Sequence, residues 1–212
     1  MNQLSETIRY YDEHADEFVR DSINADMESL YGPFLALLPE AGMILDAGCG
    51  SGRDSKAFLD RGYAVTAVDA SEKMVEATTR LTGVPALKLQ FQQMDFENRF
   101  DGIWACASLL HVPRVEMDTV LATLVSALRP SGICYLSFKK GDGDRVQRGR
   151  QFTDFTASGL NEVLAHHRKL EVLRIWITDD VRLGRANRWV NALVRKQEGL
   201  PKTDNVLDVA DR

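Results

Sequence analysis

Short apolar segments alternate with amphipathic segments along most of this chain, and the first of them runs directly into a glycine-rich turn. Helical patterns lie between the apolar segments, and strands alternating with helices predict a mainly parallel sheet with helices on both faces. Ligands of such sheets bind beyond the carboxyl ends of the strands, where the strand order switches. We therefore expect the functional residues at the carboxyl ends of the strands, near that switch. The predicted strands cover residues 43–47, 63–68, 86–92, 100–107, 133–138, 170–177 and 188–195.

The first 40 residues follow a different pattern, because they are polar with apolar residues at helical spacing. Steps of three and four residues predict a helix to about Leu30, Gly32-Pro33 interrupts it, and Phe34–Leu38 predicts a second short helix that ends at Pro39. The polar stretch 199–212 is expected to fray. We predict one domain, 1–198, with a helical N-terminal lid over 1–40 and a C-terminal tail over 199–212.

Composition excludes several classes of protein. No apolar run approaches the roughly 18 residues that span a bilayer, and the N-terminus lacks the pattern of a signal peptide, so we expect a cytoplasmic protein with no membrane partner. The chain has three cysteines and four histidines without metal-ligand spacing, so no metal site is predicted. The net charge of −5 argues against duplex DNA as a partner and disfavours RNA.

The glycine-rich turn carries the strongest functional signal. Between Ile44 and Asp54 a strand, a turn and a helix start follow one another, and the turn has the spacing D-x-G-x-G-x-G. Glycines let the backbone approach a ligand closely, and N–H groups at a helix start attract negative charge. A dinucleotide motif would need glycine at position 53, where this chain has Arg53, so a nicotinamide cofactor is disfavoured. The alternative is a structural turn that binds nothing.

An acidic residue stands at the end of the second predicted strand, about 20 residues after the first glycine of the turn. Asp69, in Val68-Asp69-Ala70-Ser71, is placed to accept hydrogen bonds from two ribose hydroxyls. The alternative is a helix cap. The spacing favours ligand binding.

These pieces, in order from residue 44 to about 138, resemble class I methyltransferases that use S-adenosylmethionine (SAM). The resemblance implies a doubly wound, Rossmann-like sheet of seven strands with an antiparallel last strand, 188–195, at its edge. It implies SAM as cofactor and S-adenosylhomocysteine (SAH) as product, with Arg53 near the SAM carboxylate, Asp95 accepting from the adenine amino group and Tyr11 covering the methionine end. The residues predicted to bind SAM are Tyr11, Asp46, Gly48, Cys49, Gly50, Gly52, Arg53, Asp69, Ala70, Met74, Met94, Asp95 and Ala105.

Acceptor chemistry is predicted at the other end of the pocket. His111 follows the fourth strand and is the candidate base or orienting residue, and Tyr10, Lys139 and Arg150 are candidate substrate contacts. The glycine-containing basic stretch 139–150 is either a mobile lid that meets an anionic substrate or a solvated loop.

The nature of the acceptor is predicted from a motif that the chain lacks. No Asn-Pro-Pro-Tyr-like segment follows the fourth strand, which favours a small-molecule acceptor with an oxygen, nitrogen, sulfur or metalloid centre. The alternatives are an RNA methyltransferase and a SAM-binding regulator without transfer activity. The segments GCGSGRDS, GIWACASLLHVP and SFKKGDGD resemble a bacterial group of tellurite-resistance-like methyltransferases.

Overall fold

The computed structural model describes residues 3–182 and 184–198, so the predicted tail 199–212 lies outside the described residues. Two short 3₁₀ helices, Phe91–Gln93 and Leu109–His111, lie between the main elements. In chain order the helices and strands are α1 (Gln3–Glu13), α2 (Ala15–Ser22), α3 (Glu28–Leu35), β1 (Met43–Ala47), α4 (Arg53–Asp60), β2 (Ala64–Asp69), α5 (Glu72–Thr82), β3 (Leu87–Lys88), β4 (Phe100–Ala105), α6 (Arg114–Ala127), β5 (Leu128–Lys139), β6 (Gly143–Gln147), β7 (Arg150–Asp154), α7 (Ala157–His166), β8 (Leu170–Asp179) and β9 (Arg188–Lys196).

A seven-stranded sheet forms the centre of the molecule, in the order β3-β2-β1-β4-β5-β9-β8. The first five of these strands pair in parallel, and β9 pairs antiparallel with both β5 and β8. The chain moves outward from β1 to β3 and then returns to place β4 on the other side of β1. The predicted doubly wound, Rossmann-like sheet with an antiparallel last strand is confirmed, and its switch point lies between β1 and β4.

Apolar side chains on both faces of the sheet are buried. Neighbouring residues of β1, Ile44 and Leu45, are fully buried in two separate clusters, as are Trp104 and Ile103 of β4. Because successive side chains of a strand point to opposite faces, both faces must be covered. One cluster contains buried residues of α3 and α4, and the other contains those of α6 and α7.

The N-terminal helices differ from the prediction. The first helix ends at Glu13, a second covers Ala15–Ser22, and α3 continues through Gly32-Pro33 instead of being interrupted there. Proline in a helix interior costs about 3 kcal/mol. Leu30, Tyr31 and Phe34 are buried on one face of α3, and burying each such side chain contributes roughly 1.5–3 kcal/mol, which outweighs that cost.

Two strand predictions also need correction. The antiparallel strand β9 is not at the edge of the sheet, because α7 carries the chain past β5 to the edge position of β8, and β9 returns into the gap. The third strand is only Leu87–Lys88 instead of 86–92. It ends early because Gln90 and Gln93 form a reciprocal capping box that starts a 3₁₀ turn.

The basic stretch 139–150, predicted as either a mobile lid or a solvated loop, consists largely of strand residues and the turn that joins them. Lys139 is the last residue of β5, and β6 and β7 form an antiparallel hairpin. Arg148 and Gly149 close it with φ of 51° and 75°, the backbone of the two-residue turn that matches strand twist. The buried ring of Phe152 anchors β7 against the core.

Candidate active site

A cavity of about 360 Å³ opens at the carboxyl ends of β1, β2 and β4, beside the switch in strand order. Small-molecule sites typically occupy roughly 300–1,000 Å³. Its wall includes Thr7, Tyr10 and Tyr11 of α1 and Arg148 and Arg150 of the hairpin. The N-terminal helix and the hairpin therefore cover a site whose floor is formed by the carboxyl ends of the central strands.

The glycine turn packs tightly against its neighbours. Gly48 has φ of 87°, a conformation that side-chain-bearing residues rarely adopt, and a Cβ there would lie 2.4 Å from Cβ of Ser108. The N–H groups of Gly48 and Cys49 both donate to the carbonyl of Val68, at distances of 2.9 and 3.0 Å. The turn is thus fixed between the ends of β2 and β4, with its backbone on the cavity wall.

Asp69 is held at the cavity wall by backbone donors. Its two carboxylate oxygens accept from the N–H groups of Gly50, at 3.0 Å, and Ser71, at 2.9 Å. Burial raises the pKa of Asp69 to about 6, while those N–H donors act in the opposite direction. Each oxygen keeps a further lone pair, so the carboxylate can accept from two hydroxyls of a ligand.

Arg53 reaches the cavity, but its charge is already paired. Its Nε and Nη2 donate to the two carboxylate oxygens of Asp54, at 2.6 and 2.9 Å. Burial alone would raise the pKa of Asp54, and the adjacent guanidinium outweighs that effect, so the pKa is lowered and the carboxylate stays ionised. Tyr31 and the Trp104 indole N–H also donate to Asp54. The predicted contact of Arg53 with a ligand carboxylate would therefore share the guanidinium with Asp54.

The helix α1 is fastened at two points, near its middle and near its C-terminal end. Toward the hairpin, the backbone N–H of Gln151 donates to the buried hydroxyl of Thr7 at 3.0 Å. Toward the end of β2, the hydroxyl of Ser71 donates to the carboxylate of Asp12 at 2.6 Å. These two bonds hold α1, and with it Tyr11, at the cavity wall.

The hydrogen bonds of His111 fix its tautomer. Nδ1 lies 2.6 Å from the carbonyl oxygen of Gln151, and because a carbonyl only accepts, Nδ1 carries the proton. Nε2 therefore has the lone pair and accepts from the hydroxyl of Tyr11 at 2.7 Å. Burial lowers the pKa of His111 to about 4, and the charges of Arg150 and Lys139 act in the same direction. The imidazole is neutral at physiological pH.

The structure brings most of the predicted site residues together and leaves five outside the cavity wall. The predicted residues on the wall are Tyr10, Tyr11, Gly48, Cys49, Gly50, Arg53, Asp69, Ala70, Met74, His111, Lys139 and Arg150. The other five predicted residues are not on the wall of this cavity: Asp46, Gly52, Met94, Asp95 and Ala105.

The physical reasons for those five positions differ. Asp46 is buried under the turn, where burial raises the pKa of its carboxyl to about 8 and the Ser55 hydroxyl donates to it at 2.6 Å. Gly52 packs against Thr78 of α5. The last three are explained by their burial: Met94 is in the core, Asp95 is exposed, and Ala105, the last residue of β4, is fully buried in the core.

Several residues on the cavity wall were not anticipated from sequence. Gln90 and Gln92 line it because β3 stops early and the chain turns there. Ser108 lines it after β4, with its hydroxyl donating to the carbonyl of Ala47 at 2.6 Å. Thr178 and Asp179 at the end of β8 also line the wall, as do residues 180–182 and Asn187 of the connection to β9. The polar alternation near Gln90 could have indicated that this segment lines the cavity. The segment 178–187 contains no motif that would have indicated it.

Comparison with known proteins agrees with this geometry. Residues 44–132 match the family model of a methyltransferase domain. The chain aligns over 92% of its length with the 1,6-didemethyltoxoflavin-N1-methyltransferase of Burkholderia thailandensis, solved with 1,6-didemethyltoxoflavin and S-adenosylhomocysteine bound. That alignment has a TM-score of 0.76 and 25% identity, and covers 88% of the other chain. This protein has the class I methyltransferase fold.

Curated relatives of the methyltransferase domain match a shorter part of the chain. YqeM of Bacillus subtilis, named as a methyltransferase, is 31% identical in an alignment of 105 positions that covers 46% of this chain. The ubiquinone biosynthesis O-methyltransferase of Coxiella burnetii is 30% identical in an alignment of 100 positions that covers 44% of this chain. The match covers 42% of the length of each of these relatives. Over the matched domain, the likenesses agree with the predicted enzyme class and with SAM as its cofactor.

Within residues 3–182 and 184–198, no helix has the length and apolar character to cross a membrane. The same residues contain no group of three or more His, Cys, Asp or Glu side chains arranged to hold a metal ion.

Proposed function

We propose that this protein transfers a methyl group from SAM to a small-molecule acceptor. The observation that carries the proposal is the single cavity with two different ends. One end is formed by the glycine turn and Asp69, and the other by the hydrogen-bonded pair of Tyr11 and His111. A cofactor at the first end and an acceptor at the second would share one enclosed space.

The first end has groups that suit SAM. Asp69 would accept from the ribose hydroxyls, and the turn from Gly48 to Gly50 would lie along the methionine part. Met74 and Phe91, both on the wall, are placed to contact a flat ring with a thioether and an aromatic face. When bound, SAM supplies a methyl group on a positively charged sulfur. The protein then has to align the acceptor with that methyl, which can be worth an effective molarity of roughly 10⁵–10⁸ M.

The second end can take up a proton. An acceptor that loses a proton can pass it to the Tyr11 oxygen while the Tyr11 hydroxyl proton moves to Nε2 of His111, whose lone pair already accepts from that hydroxyl. Because the pKa of His111 is lowered to about 4, this nitrogen remains available across the neutral range. We therefore expect kcat/KM to stay level from neutral pH down to roughly pH 5, whereas an imidazole of ordinary pKa would lose activity below about 6.5.

The covered cavity favours a small acceptor over RNA. Helix α1, fastened through Thr7 and Asp12, forms part of the wall of a cavity of about 360 Å³, a volume that suits a small molecule. The proteins named above include methyltransferases that are named for small molecules, 1,6-didemethyltoxoflavin and ubiquinone, which supports the same choice. The tellurite-resistance-like grouping and a cytoplasmic location rest on the sequence alone and remain part of this proposal.

Calorimetry with SAM, SAH and NAD tests the cofactor assignment. We expect SAM and SAH to bind and NAD not to bind. Binding of NAD without SAM would contradict the proposal. A screen of small molecules with methyl-labelled SAM then tests transfer, and a protein that binds SAM but labels only RNA, or nothing, would refute the assigned reaction.

A further inference from the structure

Three cationic side chains surround one buried aromatic ring beside His111. The charged groups of Lys139, Arg145 and Arg150 lie 4.4, 4.5 and 5.1 Å from the centre of the Phe152 ring. That ring is itself 5.0 Å from the imidazole of His111. The positive charge is therefore concentrated at the acceptor end of a cavity in a protein whose net charge is −5.

The three cations differ in how their charge is balanced. Arg145 donates to both oxygens of Asp154, so its charge is paired. Among the ion pairs of residues 3–182 and 184–198, none involves Lys139 or Arg150. Both of these unbalanced residues line the cavity.

Arg150 also has an unsatisfied donor. In the described part of the chain, its Nε is the one buried side-chain nitrogen or oxygen without a hydrogen-bond partner. Its guanidinium lies 4.2 Å from the centre of the Tyr10 ring and forms a hydrogen bond with the Tyr11 side chain, so both tyrosines hold the group in place while Nε stays without a partner. A buried donor without a partner is unfavourable, and a bound acceptor atom would satisfy it.

The same excess of positive charge lowers the pKa of two neighbouring groups. Burial, followed by the charges of Arg145 and Arg150, lowers the pKa of Lys139. The charges of Arg150 and Lys139 add to the effect of burial on His111. An anion bound between Lys139 and Arg150 would offset the effect of these positive charges on the pKa of both Lys139 and His111.

We infer that the methyl acceptor is a small organic acid whose carboxylate binds between Lys139 and Arg150. A guanidinium donates two parallel hydrogen bonds to a carboxylate, and Lys139 adds a second charge from the end of β5. This inference rests on the proposed function, since it assigns the substrate class of the same cavity. The carboxylate serves as the handle that orients a separate acceptor atom toward Tyr11 and His111.

The test uses the full chain saturated with SAH and a panel of hydroxybenzoates and aminobenzoates with their primary amides. Thermal melting and calorimetry measure binding, and labelled SAM measures transfer to the same compounds. We expect the acids to bind and the amides, which are neutral and of equal size, not to bind. Arg150→Met and Lys139→Met should each weaken acid binding by about ten- to a hundredfold, the value of one charge-assisted hydrogen bond.

Two controls separate this inference from folding and from the cofactor assignment. Arg168→Met removes one positive charge at an exposed position outside the cavity and should leave acid binding unchanged. SAH affinity is measured first for every variant, because it reports both correct folding and the proposed function. If the wild-type protein does not bind SAH, the proposed function is refuted. With SAH bound, equal binding of acids and amides, or binding of neither, would overturn the inference. So would acid binding that survives both substitutions.

Discussion

The hydroxyl of Tyr11 donates to Nε2 of His111 over 2.7 Å, which joins the first helix to a turn 100 residues later in the chain. The other ring nitrogen of His111 donates to Gln151 of the hairpin. One imidazole therefore connects the two segments that cover the cavity. Its protonation affects the acceptor end of the site and the attachment of α1 together.

Acid should destabilise the protein through His111. The folded state lowers the pKa of this residue from 6.5 to about 4, so below pH 6.5 the unfolded chain binds the proton more readily. The free energy of unfolding therefore falls by about 3 kcal/mol as the pH is lowered from 6.5 toward 4. We expect chemical denaturation at steps between pH 7 and 4 to show a shallower loss for His111→Asn than for the wild type. His166→Asn, at an exposed position, controls for the removal of one imidazole, and identical slopes for the wild type and His111→Asn would contradict the assignment.

Replacing Asp69 should weaken cofactor binding, whereas replacing Asp95 should not. Asp69→Ala removes a carboxylate on the cavity wall and should cost roughly 1.5–3 kcal/mol of SAM affinity, measured by calorimetry. Asp95 is exposed and outside the wall, so Asp95→Ala should bind SAM as the wild type does. A loss confined to Asp95→Ala would restore the adenine contact predicted from sequence and remove Asp69 from the site.

Gly48→Ala should reduce the stability of the protein by more than the strain of a left-handed backbone alone. Gly48 and Gly62 have nearly equal φ, 87° and 85°, but a Cβ at Gly62 would have no neighbour within 4 Å. Gly62→Ala should therefore cost only the roughly 1–2 kcal/mol of left-handed backbone. Gly48→Ala adds the collision with Ser108 and should lower both the melting temperature and SAM affinity further. Equal melting temperatures for the two variants would show that the turn tolerates a side chain.

The buried ion pair beneath the cavity should be essential to stability. Asp54→Asn leaves the guanidinium of Arg53 largely buried without its counter-charge, and breaking such a pair costs about 3–5 kcal/mol. The exposed pair of Lys56 and Asp60 is the matched comparison, since Asp60→Asn should cost less than about 1 kcal/mol. Urea denaturation at pH 7 measures both. Similar costs would mean that Tyr31 and Trp104 hold the network without the charge.

The alternating pattern of the chain was sufficient to predict the sheet, because strand and helix periods are local properties of the sequence. Interruptions were harder to predict. Pro33 stays in a helix because distant side chains pack against α3, and β3 stops early because of a capping box at Gln90. The place of β9 depends on where α7 delivers β8, which is a property of the whole fold.

The site was predictable where a motif sits at the end of a strand and less so elsewhere. The glycine turn and Asp69 lie on the cavity wall because strand ends converge there. Met94 and Asp95 lie off it because the shortened β3 brings Gln90 and Gln92 to the wall instead. The segment between β8 and β9 reaches the site only through the return of β9, which no local pattern reveals.

The proton on Nδ1 of His111 is held by a main-chain carbonyl of the hairpin rather than by a side chain. Every amino acid at position 151 would supply that oxygen, so substitution there cannot reverse the roles of the two ring nitrogens. The tautomer of the imidazole is therefore set by the path of the backbone. Substitutions of Lys139 in β5 or Arg150 in β7 would change the charge beside His111, and with it the pKa of the imidazole, but would leave the donor role of Nδ1 in place. Acceptor specificity and the pKa of His111 are thus coupled in this scaffold, whereas the tautomer is independent of both.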